Sequence, residues 1–121
     1  MNISVSSSSQ DPLYKQLYDQ IAGAVLRGEL KEGEPLPPIR TISQELRISV
    51  ISVKRAWEEL ERDGFINTAV GRGCFAAWLT SEQMNIRKKK MMEEKLLPAI
   101  EYAKSLGVTK EAMAAIIEIY Y

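Results

Sequence analysis

The residues best suited to act on something outside this chain are cations gathered in one short window. Between Ile39 and Trp57 the ionic side chains are Arg40, Glu45, Arg47, Lys54 and Arg55, four positive against one negative. Glu58, Glu59, Glu61 and Asp63 follow at once around Arg62, and a second basic run comes later at Arg87, Lys88, Lys89 and Lys90. The chain as a whole has 16 Lys+Arg against 16 Asp+Glu and a formal net charge of zero. A surface nevertheless attracts a polyanion by its local sign, within a Debye length of about 8–10 Å. The Ile39–Trp57 window therefore suits phosphate groups. The Arg87–Lys90 run is read as the solvated face of a helix.

Composition removes most other chemistry. With no His and one Cys among 121 residues, the usual zinc ligand sets and Ser-His-Asp or Cys-His catalysis cannot be built. There is no nucleotide-binding loop and no isolated carboxylate pair, so the expectation is a protein that is not an enzyme and uses no metal or cofactor. Cys74 is expected to be a packed strand residue. A single cysteine fits a reducing compartment, no apolar run approaches the roughly 20 residues that span a bilayer, and MNISVSSSSQ has neither the basic nor the apolar region of a signal peptide. A cytoplasmic protein without membrane association is expected. At 45% apolar and 26% charged residues the chain is an ordinary globular one, long enough for one small domain and an appendage.

The elements that must position the cations can be placed from capping residues and apolar spacing. Residues 1–10, rich in Ser, are expected to be a flexible tail. Asp11 is expected to cap a helix opened by Pro12, with Leu13, Leu17, Ile21, Ala24 and Val25 along one face. Gly28 and Gly33 end it, and Pro35, Pro37 and Pro38 hold the connection extended. A short second helix begins near Pro38 and turns Ile39, Ile42 and Leu46 inward. Arg47-Ile48-Ser49 is a tight turn in which Ser49 caps a third helix, Val50 to Asp63, burying Val53, Trp57 and Leu60 with Ala56 at a close contact. Gly64 stops it. Two helices joined by so short a turn make a helix-turn-helix.

A hairpin is expected next: Phe65, Ile66 and Val70 in one strand, Gly71-Arg72-Gly73 as the turn, and Cys74, Phe75, Trp78 and Leu79 in the return strand. Small residues at its tip let backbone approach a narrow groove, and Arg72 suits the negative potential there. Thr80 or Ser81 then caps a helix with Met84, Met91, Leu96, Leu97, Ile100 and Ala103 at apolar positions, which Pro98 should kink or split. Beyond Gly107, Thr109 caps a last helix carrying Met113, Ile116, Ile117 and Tyr120 on one face.

The third helix has a phosphate-binding logic of its own. Its core face is Val53, Trp57 and Leu60, which turns Ser52 and Lys54, with Ser49 at the cap, toward the other side. The N-terminal N–H groups and partial positive charge favour an anion, Arg40 and Arg55 extend the positive surface, and Glu58, Glu59 and Glu61 fall at the far end.

Pro12-Leu13-Tyr14 with Gln16, Gly28, Leu30, Gly33, Leu36-Pro37-Pro38-Ile39-Arg40, Leu46, Ile48, Ser49, Val53, Arg55-Ala56-Trp57, Leu60, Gly64-Phe65-Ile66 and Gly71-Arg72-Gly73-Cys74-Phe75 form an ordered pattern. It resembles the N-terminal winged helix-turn-helix of the GntR family of bacterial transcription regulators over about residues 11 to 78. The short helical extension is similar to that of the YtrA subfamily, whose tails mediate dimerisation. The fold implied is mainly α with a small β-hairpin: residues 1–10 a tail, 11–79 the winged helix-turn-helix, and 80–121 a helical dimerisation extension.

The function implied is sequence-selective operator binding as a homodimer, most often as a repressor. The resemblance carries DNA contact onto Arg40, onto Ser49 and Ser52 at the start of the recognition helix, onto Lys54 one turn further, and onto Gly71, Arg72 and Gly73 at the wing tip; Val50 and Arg55 complete the candidate set. Two residues depart from the family pattern. Pro38 replaces the usual Ser before the second helix. Val50 stands where an Arg is usual, with apolar Ile51 beside it. Loss of that guanidinium removes about 1–3 kcal/mol of discrimination for guanine. Either Val50 or Ile51 reads a thymine methyl, or DNA affinity is weaker than usual.

The extension holds four of the five methionines and is too short for a core of its own. Met84, Met91, Leu96, Leu97, Ile100, Met113, Ile116, Ile117 and Tyr120 are the expected dimer contacts, because a dyad operator calls for a two-fold protein. A small-molecule effector, should one act, would have to bind between subunits. The competing function is a winged-helix module that binds another protein through Val50 and Ile51 and holds DNA weakly.

Overall fold

The computed structural model describes residues 2–121. The order of elements is α1 (Leu13–Leu26), α2 (Ile39–Leu46), α3 (Val50–Arg62), β1 (Ile66–Ala69), β2 (Gly73–Ala76), α4 (Ser81–Ser105) and α5 (Lys110–Tyr120). Two compact units divide the chain, one ending at Thr80 and the other running Ser81–Tyr121. No helix among the described residues is long and apolar enough to cross a membrane.

The first unit is built on α3. Its apolar residues recur at helical spacing, so one stripe faces inward: Val53, Ala56, Trp57 and Leu60 are all buried. They pack mainly against α1, whose Leu17, Ile21 and Val25 are equally buried, and then against α2 through Ile42. Phe65 and Ile66, just past α3, close the core from below. Ala56 is fully buried, as a close helix contact requires. α2 contributes less than its pattern promises, since Ile39 and Leu46 are only half-buried. Its eight residues form barely two turns, with room for one fully buried side chain.

Local signals set the ends of these helices. Ser49 is the N-cap of α3, its side chain accepting from the Ser52 N–H at 3.2 Å. Gly64 follows the C-terminus at φ +80°, and the Phe65 N–H reaches back to the Leu60 carbonyl at 2.9 Å. That left-handed step is what a glycine provides at a helix end. The α2–α3 turn takes the same step at Arg47, φ 57°, a side-chain residue in a region L-amino acids disfavour. Ser43 holds it in place: its carbonyl accepts from the Ile48 N–H at 3.1 Å and its hydroxyl donates to the Ile48 carbonyl at 2.5 Å.

Several expectations need correction. α1 begins at Leu13 with Pro12, not Asp11, at the cap and no side-chain cap bond; a proline at ψ 153° is still extended, so the helix opens one residue late. The N-terminal segment, expected to be mobile, is bonded to α1. The Gln16 amide accepts from Ser6 N–H at 2.8 Å and donates to the Ser6 carbonyl at 2.9 Å, and Gln20 does the same with Ser4. Composition marks such a tail as polar but does not reveal its amide partners.

The hairpin is shorter than expected and has a neighbour. β1 and β2 pair antiparallel from Ile66 opposite Ala76 to Ala69 opposite Gly73. Phe65 precedes β1 and is core, while Val70 is wholly exposed at the turn. The turn is closed by Arg72 N–H to Ala69 O at 2.9 Å, so Gly73 opens β2 instead of sitting in the turn. Trp78 and Leu79 lie past the end of β2, Trp78 exposed and Leu79 buried. The outer edge of β2 pairs with the proline-rich connector: Gly33 N–H to Ala76 O, Ala76 N–H to Glu34 O and Leu36 N–H to Cys74 O, each at 2.9 Å. Pro35, which has no N–H to lose, sits opposite Phe75.

In the second unit α4 runs unbroken through Pro98 for 25 residues. The expected split does not occur: one proline removes a single N–H from a helix that has more than four turns on its N-terminal side and about two beyond. α4 ends with Gly107 at φ +71°, and α5 is capped by Thr109 Oγ1 accepting from Ala112 N–H at 3.1 Å. Only Ala103 is buried in the whole unit.

If α3 is the keystone of the first unit, Leu60→Ala must cost the full value of a buried leucine, about 2–5 kcal/mol. Denaturant unfolding followed by circular dichroism measures it; a loss under 1 kcal/mol would mean that α3 is not held by this core.

Candidate nucleic-acid interface

α3 presents its N-terminal turn outward because its other stripe is committed to the core. Ser49 is exposed and Ser52 half-buried; their hydroxyls lie 3.0 Å apart, and the Ser52 N–H is the group that Ser49 caps. Lys54, one turn on, is exposed, as is Arg40 on the first turn of α2. Val50 and Ile51, at the start of α3, are exposed. The wing tip, Gly71, Arg72 and Gly73, is exposed throughout, with Gly71 at φ +77° and Gly73 at φ +99°. No hydrogen bond or ion pair among the described residues engages the guanidinium of Arg40, Arg47 or Arg72. These three remain available to an external anion.

Two predicted cations are not available in the same way. The Lys54 ammonium lies 3.9 Å from Glu58 and Arg55 Nε lies 3.5 Å from Glu59, both one turn along α3. The acidic residues were expected at the far end of the helix, away from the groove; residues four apart share a face, so Glu58 and Glu59 reach back to the cations instead. Such pairs on an exposed helix contribute only about 0.3–0.5 kcal/mol, and Lys54 can exchange Glu58 for a phosphate at little cost. Arg55 is fixed more firmly. Its guanidinium stacks on the Tyr14 ring, 3.8 Å from the centroid. Glu59 Oε2, buried and without a hydrogen bond, has that guanidinium as its compensating charge. Arg55 therefore ties α1 to α3, a role invisible in the sequence because Tyr14 and Arg55 are brought together only by the packing of the two helices.

The lower end of α3 is a separate ionic group. Asp63, by its hydrogen bond first and its charge second, with Glu59 adding less, raises the Arg62 guanidinium above its ordinary value. Tyr18, edge-on to Phe65 at 6.0 Å, donates its hydroxyl to Asp63. Arg62 thus belongs to the fastening of α1 onto α3. Cys74 is half-buried in β2 and 3.4 Å from the hydroxyl of Thr68, its cross-strand neighbour.

The predicted dimer contacts fall on the second unit. Met84, Met91, Leu96, Ile100 and Met113 are half-buried, and Leu97, Ile116, Ile117 and Tyr120 are exposed. Leu96, Ile100, Met113 and Ile117 line a largely apolar groove of about 450 Å³, to which Lys104 and Lys110 also contribute.

A helix-turn-helix followed by a β-hairpin, with a cationic outward turn on the second helix, defines a winged helix-turn-helix DNA-binding domain. The model of the gntR family of bacterial regulatory proteins matches residues 13–76. The chain belongs to the GntR family and is a DNA-binding transcriptional regulator. It is 34% identical over 105 residues to YhcF, an uncharacterised HTH-type transcriptional regulator of Bacillus subtilis strain 168, covering 87% of this chain and 86% of that protein. To YtrA, an HTH-type transcriptional repressor of the same organism, it is 31% identical over 111 residues, covering 92% and 85%. The likeness to YtrA therefore runs into the second unit. A solved transcriptional antiterminator from Listeria monocytogenes EGD-e superposes with a TM-score of 0.80 at 30% identity, over 99% of this chain and 90% of that one.

Ser49 is the single side chain that caps α3. Ser49→Ala is expected to lower stability by about 0.5–2 kcal/mol, measured by thermal unfolding, while Ser49→Asp keeps it; equal loss in both would show that the cap bond is not what holds this turn.

Proposed function

We propose that this regulator binds a dyad-symmetric operator as a homodimer, with the N-terminal turn of α3 in the major groove, and represses transcription there. The observation that carries the reading is the division of α3 into a buried stripe, Val53, Ala56, Trp57 and Leu60, and an exposed first turn flanked by Arg40 and Lys54. A rigid helix held by one side can offer the other to base edges. In this assignment Arg40 and Lys54 meet phosphate, Ser49 and Ser52 lie beside it, and Gly71, Arg72 and Gly73 approach the adjacent minor groove. Arg55 supports α3 from Tyr14 and Glu59.

Dimerisation is assigned to the second unit. A unit that buries only Ala103 and exposes Leu97, Ile116, Ile117, Ile119 and Tyr120 leaves more apolar surface in water than a stable monomeric segment carries. A second copy is the partner that a two-fold operator requires. An effector would be a small apolar molecule in the groove between Leu96 and Ile117, closed by the second subunit. The protein is assigned to the cytoplasm, where its operator is, and no catalytic role is assigned to it.

Two measurements test this. Binding to a duplex selected from a random library should weaken as salt rises, with log affinity falling linearly in log salt by about 0.9 per phosphate contacted. Arg40→Ala should reduce affinity about tenfold and flatten that slope by about one with an unchanged melting curve. Salt-independent binding would remove the interface from this face. For the dimer, Ile117→Asp should sediment as a monomer at concentrations where the native chain is dimeric; a dimer that persists would place the contact outside α5.

A further inference from the structure

The recognition helix opens with two aliphatic side chains standing in water: Val50 is 46% exposed and Ile51 79%. At about 100° per residue, Ile51 projects directly opposite the buried stripe of Val53, Trp57 and Leu60, in line with Arg55 one turn on. Val50 lies at its flank, in line with Lys54. Neither side chain is among the buried core residues. An isoleucine left exposed forgoes the free energy of burial in the isolated chain, so any stabilisation Ile51 offers must come from a bound surface.

The surroundings describe that surface. Ile51 and Val50 form a patch of two residues, too small to anchor a protein interface. They sit on the turn capped by Ser49, with Arg40, Arg47 and Lys54 nearby in sequence and exposed. The complement is a polyanion with isolated apolar points inside a groove. Duplex DNA is built this way: phosphates rim the major groove, and the one apolar group on its floor is the C5-methyl of thymine. A branched aliphatic side chain has no donor or acceptor for the other base edges.

Resting on the assignment of α3 to the major groove, we propose that Ile51, with Val50 beside it, reads thymine 5-methyl groups, so that each operator half-site carries a thymine opposite the start of α3. Specificity that a guanidinium would draw from guanine at this place is drawn instead from the exclusion of water between two hydrocarbon surfaces.

The test uses the full chain and a random-sequence duplex library. Half-sites recovered by selection should share a thymine, and resynthesis with deoxyuridine at that position, which deletes the methyl and leaves the pairing intact, should weaken binding about fourfold per methyl removed. Ile51→Ser, an exposed change whose melting curve should match the native one, should bind the thymine duplex as weakly as the native chain binds the uracil duplex and should be indifferent to the replacement. Equal native affinity for thymine and uracil at every selected position overturns the proposal while leaving α3 as the DNA-binding helix. A library from which nothing is enriched overturns that helix assignment as well.

Discussion

The structure depends on the burial of one stripe of α3. Val53, Ala56, Trp57 and Leu60 pack against Leu17, Ile21 and Val25 of α1, and every other feature of the first unit refers to that contact. It fixes the rotation of α3 about its own axis, and so decides which residues face outward: Ile51 opposite the core, Val50 and Lys54 on one flank, Ser52 on the other. The fastenings at either end serve the same purpose. Arg55 on Tyr14 locks the upper part of the α1–α3 contact, and Tyr18 on Asp63 locks the lower. A helix held only by its caps would present its first turn in many orientations. Held by a core, it presents one.

Electrostatics then act on a geometry already decided. The chain is neutral overall, yet Arg40, Arg47 and Arg72 keep their charges unspent within the fold, while Arg62, Arg55 and Lys54 are matched by acids on the same helix. Neutrality limits non-specific attraction to polyanions, and the three unspent charges, all exposed, remain open to an external anion. What distinguishes the start of α3 from a merely basic turn is its exposed aliphatic pair, Val50 and Ile51.

Much of this was legible in the sequence where the cause is local. Ser49 caps α3 and Gly64 stops it because both signals act within a few residues. The inward positions Val53, Trp57 and Leu60 follow from helical spacing, and the order of elements from α1 to β2 is that of the family pattern. What escaped depends on contacts distant in sequence. The connector around Pro35 reads as extended chain, and only its pairing with Cys74 and Ala76 makes it a third edge of the hairpin. Nothing in the sequence reveals that the side chains of Gln16 and Gln20 bond Ser6 and Ser4. Arg55 reads as a phosphate ligand, and its stacking on Tyr14 is not visible in the sequence. The second unit is the opposite case: its helices were foreseen, and Pro98, expected to kink or split α4, leaves it in one piece.

The most direct test of the central claim is to map the contact surface residue by residue, by following the backbone amide resonances of the full chain in solution as a selected duplex is added. The account predicts that the largest shifts fall on Ser49 to Arg55, on Arg40 and on Val70 to Gly73, with Trp57 and Leu60 little changed. Shifts concentrated on α4 and α5, with the first turn of α3 unmoved, would contradict it.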